Sequence, residues 1–325
     1  MLVHLRLTVP DDLTERVSEL LIGHECTTNV TIQAGVVSKP AGDLVECDVA
    51  REEAGSLLRM LEEMELDDRG AIVIESPTGT PFREARRLER LAPGHPDDAV
   101  IWEAVEAQAY AGAVATVSYL IFLVLAVILA AIAVLTDSAI LVVGAMVVGP
   151  EFAAVAAASA GIVLVRWGLV GRSLRLLGMS FTFAVGVVTL LALLCRVVGW
   201  ITPEMVAQPR PNTGFIWHPE QWSFIVALVA GAAGALALAI QKTATMVGVF
   251  ISVTTVPAAG NLALGLAVWN PAEITGSLAQ LGINIAGMII SGTVLLLVVR
   301  TSWPWIMTHS ERLLGLRPWR VSQER

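Results

Sequence analysis

Ser138-Ala139-Ile140-Leu141-Val142-Val143-Gly144-Ala145-Met146-Val147-Val148-Gly149-Pro150-Glu151-Phe152-Ala153-Ala154 opens an apolar run that lasts to Val165, with one carboxylate and no basic residue inside it. At about 1.5 Å per residue such a helix crosses roughly 30 Å of hydrocarbon. Proline lacks an N–H and clashes with the carbonyl four residues back. The spacing therefore predicts a break at Gly149-Pro150, near mid-membrane. A second run, 243–268, holds Thr254-Thr255-Val256-Pro257 at matching depth. One such break reads as a simple kink. Two are another matter, because a broken helix survives in lipid only where protein or a watery cavity receives the freed backbone groups. Gly149, Pro150, Glu151, Thr254, Thr255 and Pro257 are thus candidate binding residues. Glu151 is the sharpest of them, since a lone carboxylate at that depth costs at least about 2.5 kcal/mol unless neutralised, paired or hydrated. Its bland alternative is structural, a carboxyl bonded to Thr254 or Thr255. Asn261 and Asn284 are further candidates, for the site or for packing between helices.

Reading outward, hydropathy gives six segments of spanning length, about 109–135, 138–165, 174–198, 221–241, 243–268 and 275–299. Ser173-Leu174-Arg175-Leu176-Leu177-Gly178 opens the third and Ser277-Leu278-Ala279-Gln280-Leu281-Gly282 the sixth, 104 residues later. Val143-Gly144 and Val247-Gly248 keep the same offset. The expectation is a membrane domain over 107–300 with repeat 1 at 109–198 and repeat 2 at 221–299. Three spans per copy is odd, so the second copy enters upside down, as an inverted 3+3 repeat. Asp137 and Lys242, near opposite surfaces, are candidate gates or plain interface anchors; Ser138 and Thr243 read as helix N-caps.

The ends of the chain differ in charge. Residues 1–106 hold 22 acidic and 10 basic residues, and 107–325 hold 7 and 11. The first part reads as an α+β domain of ferredoxin-like βαββαβ order over 1–76: strands at 2–9, 27–32, 44–49 and 70–75, helices after Asp12 and over 52–66, and a Gly/Pro turn from Gly35 to Gly42. An acidic domain is a poor nucleic-acid partner, so none is expected. Met1–Pro10 alternates and lacks the apolar core of a signal peptide. His24, Cys26 and Cys47 fit no standard zinc spacing. The acidic run from Glu62 to Asp68 reads as a solvated helix end.

Residues 77–106 form a linker, basic through Arg83, Arg86, Arg87 and Arg90, and 301–325 a tail. Basic residues concentrate on one side of the six spans, which predicts cytoplasmic N- and C-termini, a cytosolic first domain and a cytosolic tail.

Leu135-Thr136-Asp137-Ser138 leading into Gly144–Glu151, together with Val247–Ala259, resembles the DUF389 family of bacterial and archaeal membrane proteins. The resemblance covers roughly 105–300 and implies an integral protein of the bacterial inner membrane, with no established substrate. Relatives often carry a second Gly-Pro pair soon after the first, where this chain has Ala153-Ala154.

Two functions follow as expectations. One is a secondary transporter or channel for a small solute or ion, with a cation or proton site near Glu151. The other is a non-transporting sensor or scaffold governed by the N-terminal domain. An enzyme is not expected: there is no His-Glu-x-x-His, no paired catalytic aspartates and no Gly-x-Ser-x-Gly. No cofactor is expected. The expected partners are the lipid bilayer and a small solute or ion, with a homo-oligomer left open.

Overall fold

A computed structural model describes residues 2–92, 95, 99–218, 221–241 and 254–314, the last twelve as backbone alone. Contacts divide the chain into two units, residues 1–104 with 300–325, and residues 105–299.

In the first unit the elements run β1 (Leu2–Val9), α1 (Thr14–Gly23), β2 (Thr27–Ser38), β3 (Ala41–Ala50), α2 (Arg51–Glu62), α3 (Leu66–Arg69) and β4 (Ala71–Glu75). The sheet is antiparallel throughout, in the order β2-β3-β1-β4. Alternation places Val3, Leu5, Leu7 and Val9 on one face, where they bury against Val17 and Leu21 of α1 and Leu57, Leu58 and Leu61 of α2. Cys47 lies in that core, and its thiol is pushed up to about 12 by burial. The residues from Glu62 to Asp68 are exposed apart from Met64 and Leu66.

Two boundaries differ from expectation. The turn is confined to Lys39-Pro40, because Gly35 enters β2 at φ 65° and takes an Asp43 carboxylate oxygen on its N–H at 2.7 Å. The second helix stops at Glu62, because Glu65 turns left-handed at φ 59°. The linker also carries structure. Helix α4 (Arg83–Leu91) buries Ala85 and Leu88 against Leu2, Cys26 and Ala50.

In the second unit α5 (Trp102–Gly112) leads to α6 (Val117–Leu135), capped by Thr116, whose hydroxyl accepts the Tyr119 N–H. The expected first span, from 109, is therefore shortened at its start by that cap. Next come α7 (Ala139–Val148), capped by Ser138 as expected, and α8 (Glu151–Val163). Helix α9 (Trp167–Val197) starts seven residues earlier than hydropathy suggests, since no proline lies between Trp167 and Leu174. Then follow α10 (Pro203–Ala207), a 3-10 turn (Gly214–Ile216), α11 (Gln221–Ala239), α12 (Thr255–Val268) and α13 (Pro271–Leu314). Pro271 opens α13 at the position where its missing N–H costs no bond.

Among the described residues four helices are long and apolar enough to cross a membrane: 117–135, 167–197, 221–239 and 271–302. The pair α7 and α8, bent by 55°, passes the same test jointly, and α12 is apolar but shorter. Helices of this length and hydropathy suit a membrane protein. Lipid gives apolar helices no hydrophobic reason to associate, so close backbone approach must hold them together. Gly260 of α12 supplies it, since a Cβ there would stand 2.6 Å from the Ala130 Cβ of α6.

Three outcomes test this packing. Without α4 the surface of Leu2, Cys26 and Ala50 is open, so a fragment of residues 1–92 should melt at higher temperature than one of residues 1–76; equal melting would contradict the packing. Gly260→Val should lower the thermal stability of the detergent-solubilised protein by several degrees, with Gly186→Ala, whose added methyl meets open space, as the control. Burial raises the Glu52 carboxyl from its usual 4.5 to about 7, helped by Glu89 and Glu53. The folded state then holds this proton longer than the unfolded chain does. Its stabilising effect is full below about pH 4.5 and is lost as pH rises through about 7, by at most about 3 kcal/mol. Glu52→Gln should remove that pH dependence in urea titrations of the N-terminal fragment.

Candidate functional site

The break comes first. Gly149 ends α7 and Pro150 caps α8, so Glu151 is the first residue of the second half-helix. Glu151 is buried, only 7% exposed. Its Oε1 accepts a 2.6 Å hydrogen bond from Thr255 Oγ1, and Thr255 is the first residue of α12. Two helix N-termini, each with its positive dipole end, therefore meet around one carboxylate. Gly149 makes room for it: a Cβ there would collide with the Glu151 carboxylate and stand 2.7 Å from Val256 Cγ2. Glu151 Oε2 has no hydrogen-bond partner among the described residues.

Thr254, the N-cap of α12, stands beside this pair. Its Oγ1 accepts from Asn284 Nδ2 at 2.8 Å and from Gln280 Nε2 at 2.9 Å, both from α13. Gln280 Oε1 is likewise buried without a hydrogen-bond partner among the described residues. Four of the expected residues, Glu151, Thr254, Thr255 and Asn284, are thus brought to one place, with Gly149 and Pro150 framing it. Among the described residues no group of three or more His, Cys, Asp or Glu forms a metal cluster. What this place offers instead is one carboxylate among hydroxyl and amide oxygens. Such a donor set suits a proton or a hard cation.

Helix α12 begins at Thr255, inside the stretch where a break is expected, and Pro257 is its third residue. First-turn N–H groups have no intrahelical acceptor, so a proline is accommodated there. Asn261 lies apart, about 9 Å further along α12 at 1.5 Å per residue. Its amide donates to Ser277 Oγ at 2.9 Å, and its Oδ1 accepts from Arg210 Nη1 at 2.7 Å. Of the two candidate gates, Lys242 lies outside the described residues, as does Thr243. Asp137 takes Thr213 Oγ1 at 2.8 Å and the backbone and side-chain N–H groups of Asn212. Partial burial works against its ionisation, but these donors prevail and hold its carboxyl below the usual range.

Arg210, between α10 and the 3-10 turn, takes part in a second buried cluster. Its Nη2 meets Glu273 Oε1 at 2.7 Å, and the two side chains are 5% and 3% exposed. Removing one partner of a pair buried this deeply typically costs about 3–5 kcal/mol. Glu273, Ser277 and Gln280 were missed along with it. Arg210 and Glu273 are far apart in sequence and share no local motif. The available signal was weaker: Ser277 and Gln280 fall in the repeated stretch that opens the last span.

At the near end of the unit Glu106 pairs with Arg166 at 2.9 Å, and Arg172 lies over the Tyr110 ring. Beyond these contacts α9 is tied to α12, with Thr189 Oγ1 donating to the Ala263 carbonyl and Arg196 Nη1 to the Ala267 carbonyl.

Residues 146–290 match the family model described as Domain of unknown function (DUF389). The match begins inside α7 and ends inside α13, so it takes in Gly149-Pro150-Glu151 and the start of α12 alike. No curated protein and no solved structure matches the chain. Over this stretch, which holds the meeting point of the two half-helices, the chain is similar to the DUF389 family.

Proposed function

We propose that the chain is a transporter or channel of the bacterial inner membrane for a small solute or ion, with a cation or proton site where α8 and α12 begin. The observation that carries this reading is the Glu151–Thr255 contact. A buried carboxylate shared by two half-helix starts is costly as mere structure, and transporters place their sites at such discontinuities.

An inverted repeat of three spans supports it. Helices Val117–Leu135 and Gln221–Ala239 stand 104 residues apart at both ends. So do the starts of α8 and α12, Glu151 and Thr255, and of α9 and α13, Trp167 and Pro271. Among the described residues after 105, four non-glycine residues have positive φ, and they pair at the same offset: Asp137 with Gln241, Val165 with Trp269. Arg166 N–H bonds the Gly161 carbonyl as Asn270 N–H bonds that of Gly265.

Contacts also bear on direction. Glu106 and Arg166 tie the approach to α6 to the start of α9, whereas Asp137 and the 212–213 loop tie their ends. Arg210 links that same end to the start of α13. Helices α9 and α13 then run oppositely, as an inverted pair must. With α7 and α8 counted as one span the described residues hold five, and the remaining expected segment, 243–268, lies partly outside them. The arginine distribution orients the termini to the cytoplasm, and the first unit is read as a cytosolic ferredoxin-like domain.

Full-length protein in liposomes tests the site, with imposed gradients of protons and of each alkali cation as the probes. Glu151→Gln keeps shape and hydrogen bonding but fixes a neutral side chain. It should retain the wild-type melting temperature and lose at least tenfold in flux, together with the pH dependence of that flux. Wild-type flux in Glu151→Gln at every pH would refute the site. No flux in either protein for any probe would favour the sensor reading.

A further inference from the structure

We propose that the two ion pairs Glu106–Arg166 and Arg210–Glu273 are the gates of one access path, one at each end of the broken-helix bundle, opening in alternation. The proposal rests on the transport reading and on the repeat. Moving 104 residues along the chain takes Glu106 to Arg210 and Arg166 to Asn270, whose amide donates to Glu273 Oε1 at 3.4 Å. Each end of the bundle thus carries an ion pair at a corresponding place, with the acid and the base exchanged.

The two pairs differ in closure. Arg166 and Glu106 are 56% and 27% exposed, a light bridge open to solvent, whereas Arg210 and Glu273 are sealed in the packing. The sealed pair is also anchored on both flanks. Arg210 reaches Asn261 and through it Ser277, and the loop that carries Arg210 is pinned two residues on by Asp137. One end of the path is thus held shut by a buried network, the other by a single half-exposed pair. That asymmetry is what a protein with alternating access shows in either of its end states, and an exchange of roles between equivalent elements is what an inverted repeat permits. Asp137, a candidate gate from its position alone, acts here by holding the loop and not by closing the path itself.

Ser173 and Ser277 stand 104 residues apart, early in α9 and in α13, and both are fully buried. Each can be replaced singly by Cys as a reporter, in full-length protein with Cys195→Ser; Cys26 and Cys47 are buried. The reaction rate with a membrane-impermeant maleimide, applied from each face of proteoliposomes, reads access with no permeant present. The Ser173→Cys reporter should react faster than the Ser277→Cys reporter. Glu273→Gln should raise the rate at Ser277→Cys at least tenfold and lower that at Ser173→Cys at least threefold. Glu106→Gln should do the opposite. Should Glu273→Gln fail to fold, Arg210→Lys, which keeps the charge and loses the forked contact, should shift both rates in the same directions.

A rise at one reporter with no change at the other would overturn alternation, as would a simultaneous rise at both or no response at either. Loss of the Glu151 dependence of flux would instead count against the ion site and leave the gating result standing.

Discussion

A carboxylate inside a membrane has few ways to be stable, and Glu151 uses the geometry of two helix starts. Its own half-helix and α12 both direct N-terminal dipoles at it, and the Thr255 hydroxyl supplies the hydrogen bond. Those dipoles are available only because neither helix runs through. Gly149-Pro150 ends α7, and Thr254 caps α12 with its side chain held by Asn284 and Gln280. Continuous helices would bury Glu151 against spent backbone, with no N–H groups left to face it. Gly149 belongs to the same arrangement, since any side chain there would occupy the volume of the carboxylate.

The rest of the bundle follows from holding that meeting point together in a solvent that does not drive helices to pack. Small residues bring α12 against α6, while α9 is tied to α12 by Thr189 and Arg196 through backbone carbonyls. The polar residues that remain are grouped at the ends of the unit and at its middle. Each end group links segments that the chain keeps far apart, Arg210 with Glu273 at one end and Glu106 with Arg166 at the other.

Much of this could be read from residues alone because the information was local. The alternation of Val3, Leu5, Leu7 and Val9, the Gly-Pro pair, the Ser138 cap and the 104-residue echo all concern neighbours in sequence or simple copies of one another. Glu151 and Thr255 could be named because each lies at a break. The errors share another cause. The residues around Arg210 looked like an ordinary polar loop, because nothing in 203–222 signals that one side chain turns inward to a partner in a later helix. Long-range pairing of that kind leaves no periodicity. The extra length of α9 went unseen because arginines at a membrane surface lower hydropathy without ending a helix.

The most direct test of the inverted arrangement is the membrane face from which equivalent positions can be reached. Single cysteines at Asp137, Gln241, Arg166 and Asn270, in the Cys195→Ser protein, would be labelled in intact cells and in inverted vesicles with an impermeant maleimide. The account predicts that Asp137 and Asn270 report one face and Arg166 and Gln241 the other, so that each position and its copy 104 residues later lie on opposite sides. Labelling of Asp137 and Gln241 from the same face would contradict it.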